Sequence, residues 1–160
     1  MTVDKEVLAV LKRLEYGVYI VTMGHGESGN AFTASWVSQV SSEPPMIAVA
    51  IHNKHQSARI LNTEQSFVIN LIPAEGESVA RTYYGPAESG YERLKAANIT
   101  TSPVKGNPII SGASAYVECL IVYRVTAGNH TVFIGEVVGG DSISDGPILT
   151  SSNCKLRYLG

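Results

Sequence analysis

Residues 30–45, Asn-Ala-Phe-Thr-Ala-Ser-Trp-Val-Ser-Gln-Val-Ser-Ser-Glu-Pro-Pro, have the β-pattern of a core strand but carry hydroxyls where such a strand would carry aliphatics. If Ala31 to Ser41 stays extended, side chains alternate between two faces. Thr33, Ser35, Val37, Gln39 and Ser41 then share one face, and Phe32, Ala34, Trp36, Ser38 and Val40 share the other. The first face is a row of short donors and acceptors, suited to the polar edge and tail of a flat ligand. The same pattern also describes an edge strand whose hydroxyls face water, and alternation alone does not separate the two.

Two other stretches could do chemistry. His52-Asn-Lys-His-Gln-Ser57 precedes a short helix expected over Ala58–Asn62. A loop running into a helix N-terminus offers N–H groups and a positive dipole end to an anion, and Asn53, Lys54 and Ser57 add donors. This is the best phosphate site in the chain, set against a solvated turn with a capping serine. His130 ends the turn Ala127-Gly-Asn-His130 and is either a site histidine or one that caps a hairpin. His52 and His55 have helical metal-ligand spacing but no third ligand nearby.

The elements that must position these groups are mostly strands. Tyr16–Met23, Met46–Ile51, Ser66–Ile72, Ser114–Val125 and Thr131–Val138 are rich in β-branched and aromatic residues, and a weak final strand is expected over Lys155–Leu159. Glu43-Pro44-Pro45 stops the segment before Met46, because neither proline can donate to a ladder. Helices are expected over 4–14, capped by Asp4 with Val7, Leu8, Leu11 and Leu14 on one face covering an open end of the fold, and over Glu75–Tyr84 with Val79 and Tyr83 inward. Gly85–Pro108 reads as a long irregular stretch with turn signals. Gly24-His-Gly-Glu-Ser-Gly29 spells a dinucleotide-binding pattern, yet a β-pattern follows it rather than a helix, and it reads as a hairpin loop. Six or so β-runs with few helices predict a mainly β fold, a closed antiparallel, Greek-key-like barrel with a few short peripheral helices.

Composition narrows the function classes. The 160 residues suit one domain, with 44% apolar and 16% charged residues. A net charge of −2 gives no footprint for nucleic acid or an anionic membrane. There is no apolar run of membrane-spanning length and no signal-peptide core at the start, so a cytoplasmic protein is expected. Two cysteines without CxxC spacing indicate neither a disulfide framework nor a zinc site.

Four pieces in order carry a family resemblance: Gly17–Thr22, Thr33-Ala-Ser with Ser41 before Pro44-Pro45, Phe67-Val-Ile-Asn-Leu, and Gly128-Asn-His130 followed by Gly135-Glu-Val137. Together they resemble the flavin reductase-like family of FMN-binding split β-barrels, most closely its short flavoredoxin-like domains that pass electrons to a rubredoxin or another acceptor. The resemblance implies that Thr33, Ala34, Ser35 and Trp36 lie along an isoalloxazine ring. Gln39, Val40 and Ser41 would lie toward the ribityl chain, and His52, Asn53, Lys54 and Ser57 near the phosphate. His130 matches the histidine of the family's Gly-Asp-His turn, close to flavin and nicotinamide, but Asn129 stands where that turn has aspartate. It also implies a homodimer. Three classes stay open: an NADH- or NADPH-dependent FMN oxidoreductase, an FMN electron carrier reduced by a protein partner, and a flavin-binding module without turnover. The absence of a clear basic pocket for a 2′-phosphate favours NADH if a nicotinamide binds.

Overall fold

The computed structural model describes residues 3–85, 90–95, 97 and 99–156. Seven strands form one antiparallel sheet: β1 (Tyr19–Met23), β2 (Asn30–Ala34), β3 (Val37–Ser42), β4 (Pro45–His52), β5 (Ser66–Leu71), and the long pair β8 (Ala115–Ala127) and β9 (His130–Ser142). Their spatial order is β2-β1-β5-β8-β9-β4-β3. A second, two-stranded sheet pairs β6 (Ile99–Thr101) with β7 (Pro108–Ile110). Four short helices complete the fold: α1 (Lys5–Leu11), α2 (Gln56–Leu61), α3 (Glu77–Thr82) and α4 (Gly90–Lys95).

Alternation along the strands builds two cores, one on each side of the sheet. Ile20 and Ala31 join Ile72, Tyr83, Leu94 and Leu149 on one side. Val21, Met23, Phe32 and Ala34 join Phe67, Ile69, Val49 and Phe133 on the other. A β-strand places neighbours on opposite faces, so β1, covered on both sides, reads as a continuous apolar run. Each fully buried Ile, Val or Phe contributes on the order of 1.5–3 kcal/mol. Gly135 on β9 is required by closeness rather than by a turn. A Cβ there would lie 2.6 Å from the Cys119 Cβ and 2.9 Å from the Phe67 ring.

The closed barrel expected from the β-runs is not formed. The large sheet has two free edges, β2 and β3, and no ladder joins them among the described residues. The reason is visible at β2. Its outer edge is met by the end of α3, where the Thr33 N–H donates to the Tyr83 carbonyl at 3.0 Å, and by α4, so β2 does not offer β3 a free row of partners. Helix α1 is capped as expected, with the Asp4 carboxylate accepting from the Glu6 N–H at 3.0 Å. It covers no opening, however: Val7, Leu8, Leu11 and Leu14 are all 44–53% exposed. Periodicity fixes which face of a helix is apolar, and not what that face meets.

The stretch expected to be irregular holds α4 and the β6–β7 pair, while its turn residues 86–89 lie outside the described residues. Lys155 and Leu156 are not in a strand, and the rest of that expected strand also lies outside. The Gly24–Gly29 segment is a loop between antiparallel β1 and β2. No helix among the described residues is long and apolar enough to cross a membrane.

Candidate functional site

β2 runs along one edge of the sheet to Ala34, two residues carry the chain across, and β3 begins the opposite edge at Val37. Both sides of this Ser35–Trp36 link are pinned. The Trp36 carbonyl accepts from the Ala50 N–H at 3.0 Å, and the Thr33 hydroxyl donates to the Ala80 carbonyl. A cleft of about 240 Å³ opens at the link. Phe32, Thr33, Ala34, Ser35 and Trp36 line it in unbroken succession, faced by Ala50, Ile51, His55, Tyr83 and Gly85.

That succession corrects the single-face reading of residues 31–41. Consecutive residues reach the cleft because the crossing between edges interrupts the alternation. A bulge between Gln39 and Ser41 shifts it again. Gln39, Val40 and Ser41 therefore stand outside the cleft on β3, with the Gln39 amide donating to the Ser41 carbonyl at 3.0 Å and Val40 53% exposed.

The second group sits where β4 ends. His52 is opposite His130 in the β4–β9 ladder, and its Nδ1 accepts from the Lys54 N–H at 3.1 Å. The Asn53 N–H donates to the Asn129 carbonyl at 2.9 Å, and its Oδ1 accepts from the Thr131 hydroxyl at 2.8 Å. The Lys54 side chain is exposed. Ser57 is fully buried, and its hydroxyl accepts from the Asn30 amide at 2.9 Å, tying α2 to β2. Of the four side chains, His52, Asn53 and Ser57 thus have partners within the chain.

His130 is 5% exposed. Its Nδ1–H donates to the Asn129 Oδ1 at 2.7 Å, the side-chain oxygen fixing the tautomer. Its ring lies 4.8 Å from that of Trp36 and 5.1 Å, edge-on, from that of His52. Burial first, and then the neighbouring His52, push its pKa below the usual histidine value, so it is uncharged at neutral pH. Trp36 therefore belongs to two groups, walling the cleft on one side and meeting His130 through its ring contact. Among the described residues no three His, Cys, Asp or Glu side chains are grouped to hold a metal ion.

Several cleft residues are not marked as such by the sequence. Phe32, Ala50 and Ile51 follow the strand pattern of core residues, and Tyr83 follows the inward face of α3. The helix expected from Ala58 begins two residues earlier, at Gln56, which is what brings His55 to its start. His55 is the N-cap of α2, its Nδ1 accepting from the Ser57 N–H at 3.2 Å, and its ring lies 5.2 Å from that of Phe32.

The family model of the flavin reductase like domain matches residues 11–160, and the chain belongs to that family. It is 32% identical over 142 residues to the high molecular weight rubredoxin of Moorella thermoacetica, covering 88% of this chain and 62% of that one. It is 27% identical over 140 residues to the diflavin flavoprotein A 1 of a Synechocystis species, covering 87% of this chain and 24% of the other. The chain thus spans about a quarter of the diflavin flavoproteins it matches. Among solved structures, the NADH:FAD oxidoreductase of Streptomyces globisporus superposes with a TM-score of 0.86 at 25% identity, covering 99% of this chain and 96% of that one.

Proposed function

We propose that this chain is one flavin reductase-like domain that binds FMN without a covalent bond in the Ser35–Trp36 cleft and passes electrons through it from NADH or NADPH to an acceptor. The observation that carries the reading is the cleft itself. It has aromatic walls from Phe32, Trp36 and Tyr83, a hydroxyl from Ser35, and His130 behind the tryptophan. These residues fit a flat, largely apolar ring with a polar rim, the shape expected of a small-molecule site. The flavin supplies hydride acceptance when bound, and the protein supplies binding, orientation and electrostatics.

Thr33, Ala34, Ser35 and Trp36 hold the ring. Gln39, Val40 and Ser41, on the β3 edge, face the sugar-alcohol tail. The turn from His52 to Lys54 takes the phosphate through the Lys54 ammonium, and Ser57 supports that turn from within by holding α2. His130, held by Asn129 and Trp36, positions the hydride donor over the ring. Being uncharged, it acts by contact and dipole rather than as a cation. No basic pocket for a 2′-phosphate is evident in the sequence, which favours NADH.

The exposed stripe on α1 supports a homodimer in which a second copy covers that face. The matched rubredoxin and diflavin flavoproteins support a redox protein as donor or acceptor, and a cytoplasmic setting suits such exchange. A second reading follows from the same relatives: an FMN carrier reduced by a protein partner, with no nicotinamide bound. Anaerobic NADH separates the two. Bleaching of bound FMN by NADH establishes the reductase, whereas FMN that stays oxidised with NADH and bleaches with reduced rubredoxin establishes the carrier.

A further inference from the structure

His55 lies on the wall of the cleft, contributed by the turn before α2 rather than by the β2–β3 link. Its ring is half-buried and tilted 49° against Phe32, itself a cleft residue. Its orientation is fixed from below, since Nδ1 accepts the Ser57 N–H and so carries no proton. A neutral imidazole with a bare Nδ1 carries its proton on Nε2, and that atom is a donor only. Elsewhere on the wall Phe32, Ala34, Ala50 and Ile51 offer no side-chain donor and the Thr33 hydroxyl donates to Ala80, so His55 joins Ser35, Trp36 and Tyr83 as the side chains that carry one. We propose that His55 is a flavin-binding residue whose Nε2–H donates to an acceptor atom on the rim of the ring.

This inference rests on the flavin reading above and adds to it a contact from outside the hydroxyl segment. The groups facing His55 are Arg93 from α4 and His52 from the end of β4, both cationic when protonated, with Tyr83 across the cleft. Burial, then Arg93, then His52 hold its pKa below the ordinary histidine value. The neutral donor is thus the form present at neutral pH. Protonation at Nδ1 would break the bond from Ser57, because an imidazolium accepts nothing, and so acid uncaps α2 as it charges the cleft wall. A neutral donor among aromatic walls suits a ring carbonyl or ring nitrogen better than a phosphate dianion.

The experiment compares lumiflavin, which has the ring alone, with FMN, using the parent protein and His55→Asn. Asparagine is a strong N-cap whose side-chain oxygen can accept the Ser57 N–H, so the variant keeps the helix start while withdrawing the ring donor. Binding is read by quenching of flavin fluorescence, and folding by the thermal midpoint. We expect an unchanged midpoint within a few degrees and an affinity for both flavins lower by about tenfold, the loss of one buried hydrogen bond. Unchanged affinity for both flavins overturns the proposal and leaves His55 a helix cap. Weakening of FMN with lumiflavin unaffected also overturns it, by placing His55 at the phosphate. Failure of the parent to bind either flavin defeats the flavin reading itself, a distinguishable result.

Discussion

Two regions of the sheet treat polar groups differently. Against β5 and β8, away from the cleft, Asn70 commits its whole amide. Its Nδ2 donates to the Ile20 carbonyl at 3.0 Å and the Thr22 hydroxyl at 3.1 Å, while its Oδ1 accepts from the Ile110 N–H at 2.9 Å. Asn107 accepts from the Gly24 N–H and donates to the Ser66 hydroxyl. The fully buried Glu118 carboxylate accepts from the Ser102 hydroxyl and from the Val104 and Lys105 N–H groups at 3.0 and 2.8 Å. No buried side-chain polar atom among the described residues lacks a partner. These bonds clamp the β6–β7 hairpin and its loop to the sheet. At the cleft, Ser35 and His55 instead border open space. Buried polar groups require partners. Where the chain provides them all, the group is structural. Where side chains converge on a cavity, a ligand completes the set.

The contrast can be broken most forcefully at Glu118. Glu118→Ala leaves two N–H groups and a hydroxyl without their acceptor, and is expected to cost about 3–5 kcal/mol in urea unfolding. FMN affinity of the folded fraction should change by less than about threefold, because the clamp shares no residue with the cleft; a large loss of affinity would merge the two regions. Trp36→Ala tests the other side. It removes a cleft wall and the ring against His130, and FMN affinity is expected to fall by about tenfold to a hundredfold by fluorescence quenching.

His130→Ala should retain FMN while anaerobic stopped-flow reduction by NADH slows by about tenfold to a hundredfold, the usual scale for one lost positioning contact. Reduction at the parent rate would make His130 a hairpin histidine. Asn129→Asp sharpens this. A carboxylate bonded to Nδ1 raises the His130 pKa, and the NMR titration of its ring should move to higher pH.

Smaller effects separate Lys54 from Ser57. Lys54→Ala should weaken FMN by about twofold to fivefold and riboflavin hardly at all, an exposed charge being worth about 1 kcal/mol or less and screened by salt. Ser57→Ala should instead lower stability by about 1 kcal/mol through the lost Asn30 bond and weaken both flavins alike. The smallest effect concerns pH. His55 and His130 bind protons more weakly folded than unfolded, since both pKa values are lowered from 6.5. Their contribution to stability is therefore complete above about pH 6.5 and is lost as pH falls through the folded values. A variant lacking both rings should lose less stability than the parent between pH 7 and 5.

The strands were legible in the sequence because β-branched runs bounded by Gly and Pro have few other uses, and Asp4, the Gly24–Gly29 loop and the inward Tyr83 were read from local rules. Which edges meet is a non-local property, so an open sheet could not be told from a closed one by counting β-runs. The hydroxyls of residues 33–41 drew attention to a segment whose first part lines the cleft, but alternation misassigned its faces, since neither the crossing at Ser35–Trp36 nor the bulge beyond it has a turn residue to announce it. Ser57 shows the same limit. A serine at the start of a helix is a donor from sequence alone, and only packing reveals that Ser57 is fully buried with its oxygen accepting from the Asn30 amide. Glu118 gave no signal beyond being a carboxylate within an apolar strand.

The two-residue link has a mechanical consequence. Ala34 and Val37 are three peptide units apart along the chain, yet five strands lie between β2 and β3 through the ladders. Neighbouring strands rotate by roughly 20–25° on average, and such rotations accumulate from one edge of the sheet to the other. Three peptide units reach at most about 11 Å. The link is therefore a tether of fixed gauge on which the summed twist of the whole sheet bears. Of the five intervening strands only β4 lines the cleft, through Ala50 and Ile51, so the other four bear on its width through the ladders alone.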